Sequence, residues 1–142
     1  MLFRSPDGRR KLRQTLEIAA AADVQPTLIL TSPLKRAVET AEIAQKVLRY
    51  RGQLEQTDAL APNSTVEDVW REIRNRSKES AVLLVGHNPM FADLAGYLLG
   101  ARNLQIDVKK GSIVRIDFEN LSPEPKGILR WFLVARLSAC RA

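Results

Sequence analysis

The chain has 142 residues, of which 45% are hydrophobic and 27% charged, with one histidine and one cysteine. This suits one domain, 1–142, with a core of its own. It is too apolar for disorder, and it lacks the cysteines for an internal disulfide framework and the ligands for the common zinc sites. The net charge of +6 points to anionic partners.

The elements follow in chain order. Ser5-Pro6-Asp7-Gly8 opens a helix, with a capping hydroxyl and a proline in the first turn. Leu12, Leu16, Ala19 and Ala20 recur at helical spacing, and Pro26 closes the segment. Thr27-Leu28-Ile29-Leu30 predicts a strand buried on both faces. Ser32-Pro33 starts a second helix, Ser32 as its N-cap, with Leu34, Ala37, Val38, Ala41, Ala44 and Leu48 inward. Gln53 to Thr57 is a weaker strand, and Asp58 to Asn63 a loop. Ser64 with Glu67 reads as a capping box for a third helix, with Val66, Val69, Trp70 and Ile73 inward.

Ala81-Val82-Leu83-Leu84-Val85 is the clearest buried strand in the chain. Gly86-His87-Asn88-Pro89 follows, then a helix through Phe91, Leu94, Ala95, Leu98 and Leu99, closed by Gly100. Ile113, Arg115 and Asp117 alternate with Val114, Ile116 and Phe118 as in an edge strand. Leu121 to Gly127 is a turn, Ile128 to Val134 a last strand, and Leu137 to Ala142 a frayed tail in which Cys140 has no role. Alternating helices and apolar strands predict an α/β sandwich with a largely parallel central sheet, any antiparallel pair being the last two strands.

No apolar run approaches the roughly 18 residues of a membrane span, and Met1-Leu2-Phe3-Arg4-Ser5 carries no secretory apolar region. A cytoplasmic protein is therefore expected. Basic residues cluster at Arg9 to Arg13 and at Arg71 to Lys78, but within helical patterns. With 6% aromatic residues there is little to stack on bases, so nucleic acid is not an expected partner.

In open α/β sheets ligands bind beyond the carboxyl ends of the strands. Two strand ends here run straight into helices, Leu30-Thr31-Ser32-Pro33 and Val85-Gly86-His87-Asn88-Pro89. Both would aim free backbone N–H groups and positive helix ends at one rim, an anion site. Arg36, a cation in a first helical turn, works against the helix dipole, which points to a bidentate grip on phosphate. His87 could stabilise a phosphoryl oxygen or shuttle a proton.

Thr31-Ser32-Pro33-Leu34-Lys35-Arg36-Ala37-Val38-Glu39-Thr40-Ala41 resembles the Ser-Pro-x-x-Arg-Ala-x-x-Thr-Ala motif of the histidine phosphatase superfamily. Val85-Gly86-His87-Asn88-Pro89 is similar to its second-histidine motif. Leu60-Ala61-Pro62-Asn63 and Lys109-Lys110-Gly111 are similar to the small bacterial branch, the SixA-type phosphohistidine phosphatases. The resemblance spans roughly residues 5 to 134. It implies a three-layer α/β/α sandwich and phosphoryl transfer through a phosphohistidine on a nucleophilic histidine. It implies that Arg36 and His87 are catalytic and hold the phosphoryl oxygens, with Asn88 adding a backbone donor. No metal or cofactor is implied. The implied partner is a phosphorylated small molecule or a phosphohistidine protein; the phosphate grip does not set an oligomeric state. Asp58, before Leu60-Ala61-Pro62, is the general-acid candidate.

The family's first strand ends in Arg-His-Gly, which supplies the nucleophile and the first arginine. These 142 residues contain no Arg-His-Gly, and their one histidine belongs to the other motif. The fold expected is therefore the histidine phosphatase fold lacking its first strand. An N-terminally incomplete sequence is the first explanation; a pseudoenzyme keeping half an anion pocket, or a strand lent by another chain, are the others. Little or no turnover is expected of residues 1–142, the alternative being a non-catalytic phosphate- or phosphopeptide-binding protein.

Overall fold

The computed structural model describes residues 6–135. The expected cap at Ser5, Cys140 and the tail from Leu137 lie outside them. From the amino end the elements are α1 (Pro6–Ala21), β1 (Leu28–Thr31), α2 (Lys35–Val47), β2 (Glu55–Gln56), a 3-10 turn at Asp58–Leu60, α3 (Val66–Asn75), β3 (Val82–Val85), α4 (Met90–Leu98), β4 (Ile113–Asp117) and β5 (Ile128–Leu133).

β1 is the middle strand of a parallel sheet ordered β2-β1-β3. Leu28 to Thr31 pair with Val82 to Val85, and Leu30 and Thr31 with Glu55 and Gln56. The side chains alternate across this sheet as period-2 geometry demands. Leu28 and Leu30, with Val82 and Leu84, pack against Val69 and Trp70 of α3 and Leu94 and Leu98 of α4. Ile29, Leu83 and Val85 pack on the opposite face, against Ala37 and Ala41 of α2. α1 lies on that same side, joining Leu12, Leu16 and Ala19 to Ala44, Leu48 and Leu83. The result is helix, sheet, helix in three layers, as expected.

β4 and β5 do pair antiparallel, but as a second sheet separate from the first. Their hairpin is fixed to the α3–α4 layer. The Trp70 indole N–H donates to the carbonyls of Ser122 and Pro123, both at 3.1 Å, and Arg74 Nε donates to the Leu121 carbonyl at 3.0 Å. Gly127 N–H donates to the Leu98 carbonyl at 2.7 Å. A Cβ at Gly127 would meet that oxygen at 2.8 Å and Ile116 Cγ2 at 2.3 Å, so only glycine allows this approach.

Three sequence expectations shift. The capping box of α3 is formed by Thr65 and Asp68, not Ser64 and Glu67. The Ser64 hydroxyl instead donates to the carbonyls of Ala59 and Ala61, bracing the turn before the helix. Leu34, expected inward, is 43% exposed because it is the cap residue preceding α2. β3, expected fully buried, is buried only at Val85, and Val82, Leu83 and Leu84 are half-buried. β1 is buried at all four positions. The reason lies in the sheet: β1 has a strand on each side, and β3 pairs on one side only among the described residues.

Candidate functional site

The register that sets Thr31 beside Val85 brings the carboxyl ends of β1 and β3 to one rim. Ser32 N–H continues the ladder, donating to the Val85 carbonyl at 2.9 Å. Its side chain is fully buried, with Oγ 2.8 Å from His87 Nε2, a contact between residues fifty-five positions apart. Oγ also accepts the Leu34 N–H at 3.3 Å. Its own proton is then free for the imidazole, which suits a neutral ring protonated at Nδ1. Burial holds the His87 pKa below its ordinary value, and the positive charge of Arg36 acts in the same direction. Arg36 is exposed in the first turn of α2, close enough for its charge to be felt at the ring.

Ser32 is therefore not the N-cap that its sequence context suggests. Leu34 takes an extended conformation (φ −67°, ψ 138°) and becomes the cap itself, which delays the helix to Lys35 and releases the Ser32 hydroxyl to His87. Pro33 accordingly precedes the cap, and at the other helix Pro89 is the cap residue. Neither α2 nor α4 has a side-chain cap, whereas α3 carries a complete capping box. The two helices that open on this rim thus turn their positive ends to whatever binds there, although in α4 the Phe91 and Ala92 N–H groups already donate to the carbonyls of His87 and Pro89. The Asn88 side chain donates from Nδ2 to the Val108 carbonyl at 2.6 Å, and the residue lines the cleft beside His87.

A cleft of about 550 Å³ opens beside His87, lined also by Ser64, Glu67, Asp93, Tyr97 and Arg102. Arg102 forms an ion pair with Glu67, and its guanidinium lies 4.8 Å from the centre of the Tyr97 ring. Burial raises the Tyr97 pKa. Asp58, singled out from sequence, begins the 3-10 turn and does not line the cleft. The carboxylates that do are Glu67 and Asp93, which sequence reading missed. Their positions in the first turns of α3 and α4 are the signal that could have found them.

The second basic cluster is occupied within the fold. Arg71 pairs with Asp68, Arg76 bridges Glu55 and Glu72, and Arg74 is bonded to the hairpin. Among the described residues no three His, Cys, Asp or Glu side chains are grouped to hold a metal ion. No helix there is long and apolar enough to cross a membrane.

Residues 5–62 match the sequence profile of the histidine phosphatase superfamily (branch 1). No curated protein matches the chain. Among solved structures, that of the protein histidine phosphatase SixA complexed with tungstate superposes with a TM-score of 0.84 at 19% identity, over 94% of this chain and 84% of that one. A protein of Agrobacterium tumefaciens assigned as phosphohistidine phosphatase SixA gives 0.76 at 21% identity, over 92% and 81%. One of Nakamurella multipartitia with the same assignment gives 0.72 at 16% identity, over 92% and 83%.

Proposed function

From a chain with the histidine phosphatase fold, we propose that the rim formed by Ser32, Arg36 and His87 is the phosphate-holding part of a phosphohistidine or phosphomonoester phosphatase site. The observation that carries this is the Ser32–His87 contact of 2.8 Å, which joins two strand ends just where two uncapped helices begin. A doubly charged tetrahedral oxyanion placed there meets backbone N–H groups, the positive ends of α2 and α4, and the Arg36 fork. His87, neutral and held through Nε2 by Ser32, meets the same oxyanion at the edge of its ring. A proton taken up by that ring would strengthen the grip as charge builds on the phosphoryl oxygens. Tungstate is a tetrahedral oxyanion of this kind, and its presence in the SixA structure supports the reading. The cleft beside His87 would take the group that carries the phosphate.

In the reaction of this superfamily a histidine attacks phosphorus, the leaving group departs with its electron pair, and water later releases phosphate. The one histidine of these 142 residues is His87, on the second motif. Residues 1–142 are therefore proposed to bind the oxyanion without turning substrate over. This is the phosphatase site lacking its nucleophile, and on its own it acts as a phosphate-binding module.

The test pairs binding with turnover. Titration of residues 1–142 with tungstate or vanadate should saturate, and Arg36→Ala should weaken binding at least tenfold, or about 1.4 kcal/mol. Absent saturation, or an unchanged Arg36→Ala variant, would refute the phosphate site. Hydrolysis of an aryl phosphate should stay at background. Brisk hydrolysis that disappears in His87→Ala would refute the binding-only reading.

A further inference from the structure

We propose, resting on the reading of this rim as a phosphate site, that Asp93 selects what carries the phosphate: a polypeptide segment in which a basic side chain flanks the phosphorylated residue. The carrier would lie in the cleft of about 550 Å³ beside His87. Met90, Asp93 and Tyr97 line one wall of it, spaced three and four residues apart and so on one face of α4. From Pro89 at the rim to Tyr97 that face runs about 12 Å. This is roughly the length of three or four residues of extended chain.

The charges along the cleft set the chemistry of its occupant. The chain as a whole carries +6, yet the charged side chains lining the cleft are Glu67, Asp93 and Arg102, an excess of one acid. Arg102 is already committed. Its guanidinium is ion-paired with Glu67 and lies 4.8 Å from the centre of the Tyr97 ring. The segment that carries it is held on α4, where the Ala101 N–H donates to the Gly96 carbonyl at 2.9 Å. Asp93, one turn before Tyr97, is exposed and has no ion pair among the described residues.

The cleft thus holds one guanidinium against an acid and an aromatic ring, and presents a second acid without a cation. A carboxylate in the first turn of a helix also complements the helix dipole, but that effect draws no distinction between ligands. A cation seated at Asp93 would complete the pattern that Arg102 and Glu67 already show. A peptide brings such a cation on a side chain next to its phosphorylated residue, with its backbone running along α4. Generic attraction to a chain of +6 would favour acidic peptides instead, so a basic preference has to come from the local wall.

The probe is a synthetic peptide with phosphoserine flanked on each side by arginines. One control carries citrulline at those positions, which keeps the shape and removes the charge, and another carries glutamate. Wild-type residues 1–142 should bind the arginine peptide about fivefold tighter than the citrulline peptide, and the glutamate peptide most weakly. Asp93→Asn should cut the arginine preference to about twofold or less, and Asp93→Glu should keep it. Glu119→Gln, which removes an exposed carboxylate outside the cleft, should leave it unchanged. A preference that survives Asp93→Asn, or falls equally in Glu119→Gln, would overturn the assignment. So would phosphoethanolamine binding as tightly as the arginine peptide, which would make the carrier a small molecule. Tungstate separates the two readings. Saturable tungstate binding without an arginine preference would sink the role of Asp93 alone, and absent tungstate binding would sink the phosphate site with it.

Discussion

β1 and β3 are four-residue strands side by side, Leu-Ile-Leu-Thr and Val-Leu-Leu-Val, and the second is the more apolar. Yet the first is buried throughout and the second at one position of four. Their helices are shared, so helix packing does not explain the contrast. What differs is the number of strand neighbours among the described residues, two against one. An apolar run records how much burial a segment is built for, while the sheet decides how much it receives. Full burial of a leucine or valine side chain stabilises by roughly 1.5–3 kcal/mol, so three partly exposed residues on β3 forgo on the order of 1–2 kcal/mol between them.

Truncation is the most direct way to break this contrast. Ile29→Ala, at a site with no exposure, should cost about 3–4 kcal/mol in urea unfolding. The same experiment on half-buried Leu84→Ala should cost about 1–2 kcal/mol. Equal losses would mean that β3 is as well packed as β1. Between these lies Gly127→Ala, which forces the hairpin off α4 and should cost about 2 kcal/mol.

The smallest effect lies where the two strands meet, at Ser32 and His87. The folded His87 pKa is below the ordinary 6.5 chiefly because of burial, with the charge of Arg36 acting in the same direction. The unfolded chain therefore binds the proton more readily, and stability rises with pH across that interval. This contribution is complete above about pH 6.5 and fades as pH falls through the depressed folded value. An NMR titration of the single histidine should place its midpoint below 6.5, and Arg36→Ala should move it upward. A midpoint unmoved by Arg36→Ala would separate the two residues electrostatically.

Much of this was legible in the residues themselves. Helical spacing in Leu12, Leu16 and Ala19, and in Ala37, Ala41 and Ala44, reports local geometry and burial together, and all six are buried. Gly100 closes α4 at φ +75°, as a glycine after a helix suggests. The meeting of the two strand ends was also readable, since each runs directly into a helix. What escaped depends on competition between neighbours. Ser64 and Thr65 each have an acidic residue three positions on, and only the preceding turn decides which hydroxyl caps α3. Ser32 looked like a cap because nothing local reveals that Leu34 extends the chain before α2. Glu67 and Asp93 do not stand out in the sequence because the cleft is assembled from α3, α4 and the segment that follows α4, which no single stretch of sequence displays.

The chain's two tryptophans stand on opposite sides of the molecule. Trp70 is in the α3–α4 layer, its indole bonded to the hairpin turn and its ring 4.9 Å from that of Phe118. Trp131 packs on the α1–α2 layer, with Leu12 and Leu16. Each is thus a built-in optical probe of one layer. Replacing either with phenylalanine leaves a single emitter, so fluorescence can report whether the two halves melt together or in turn.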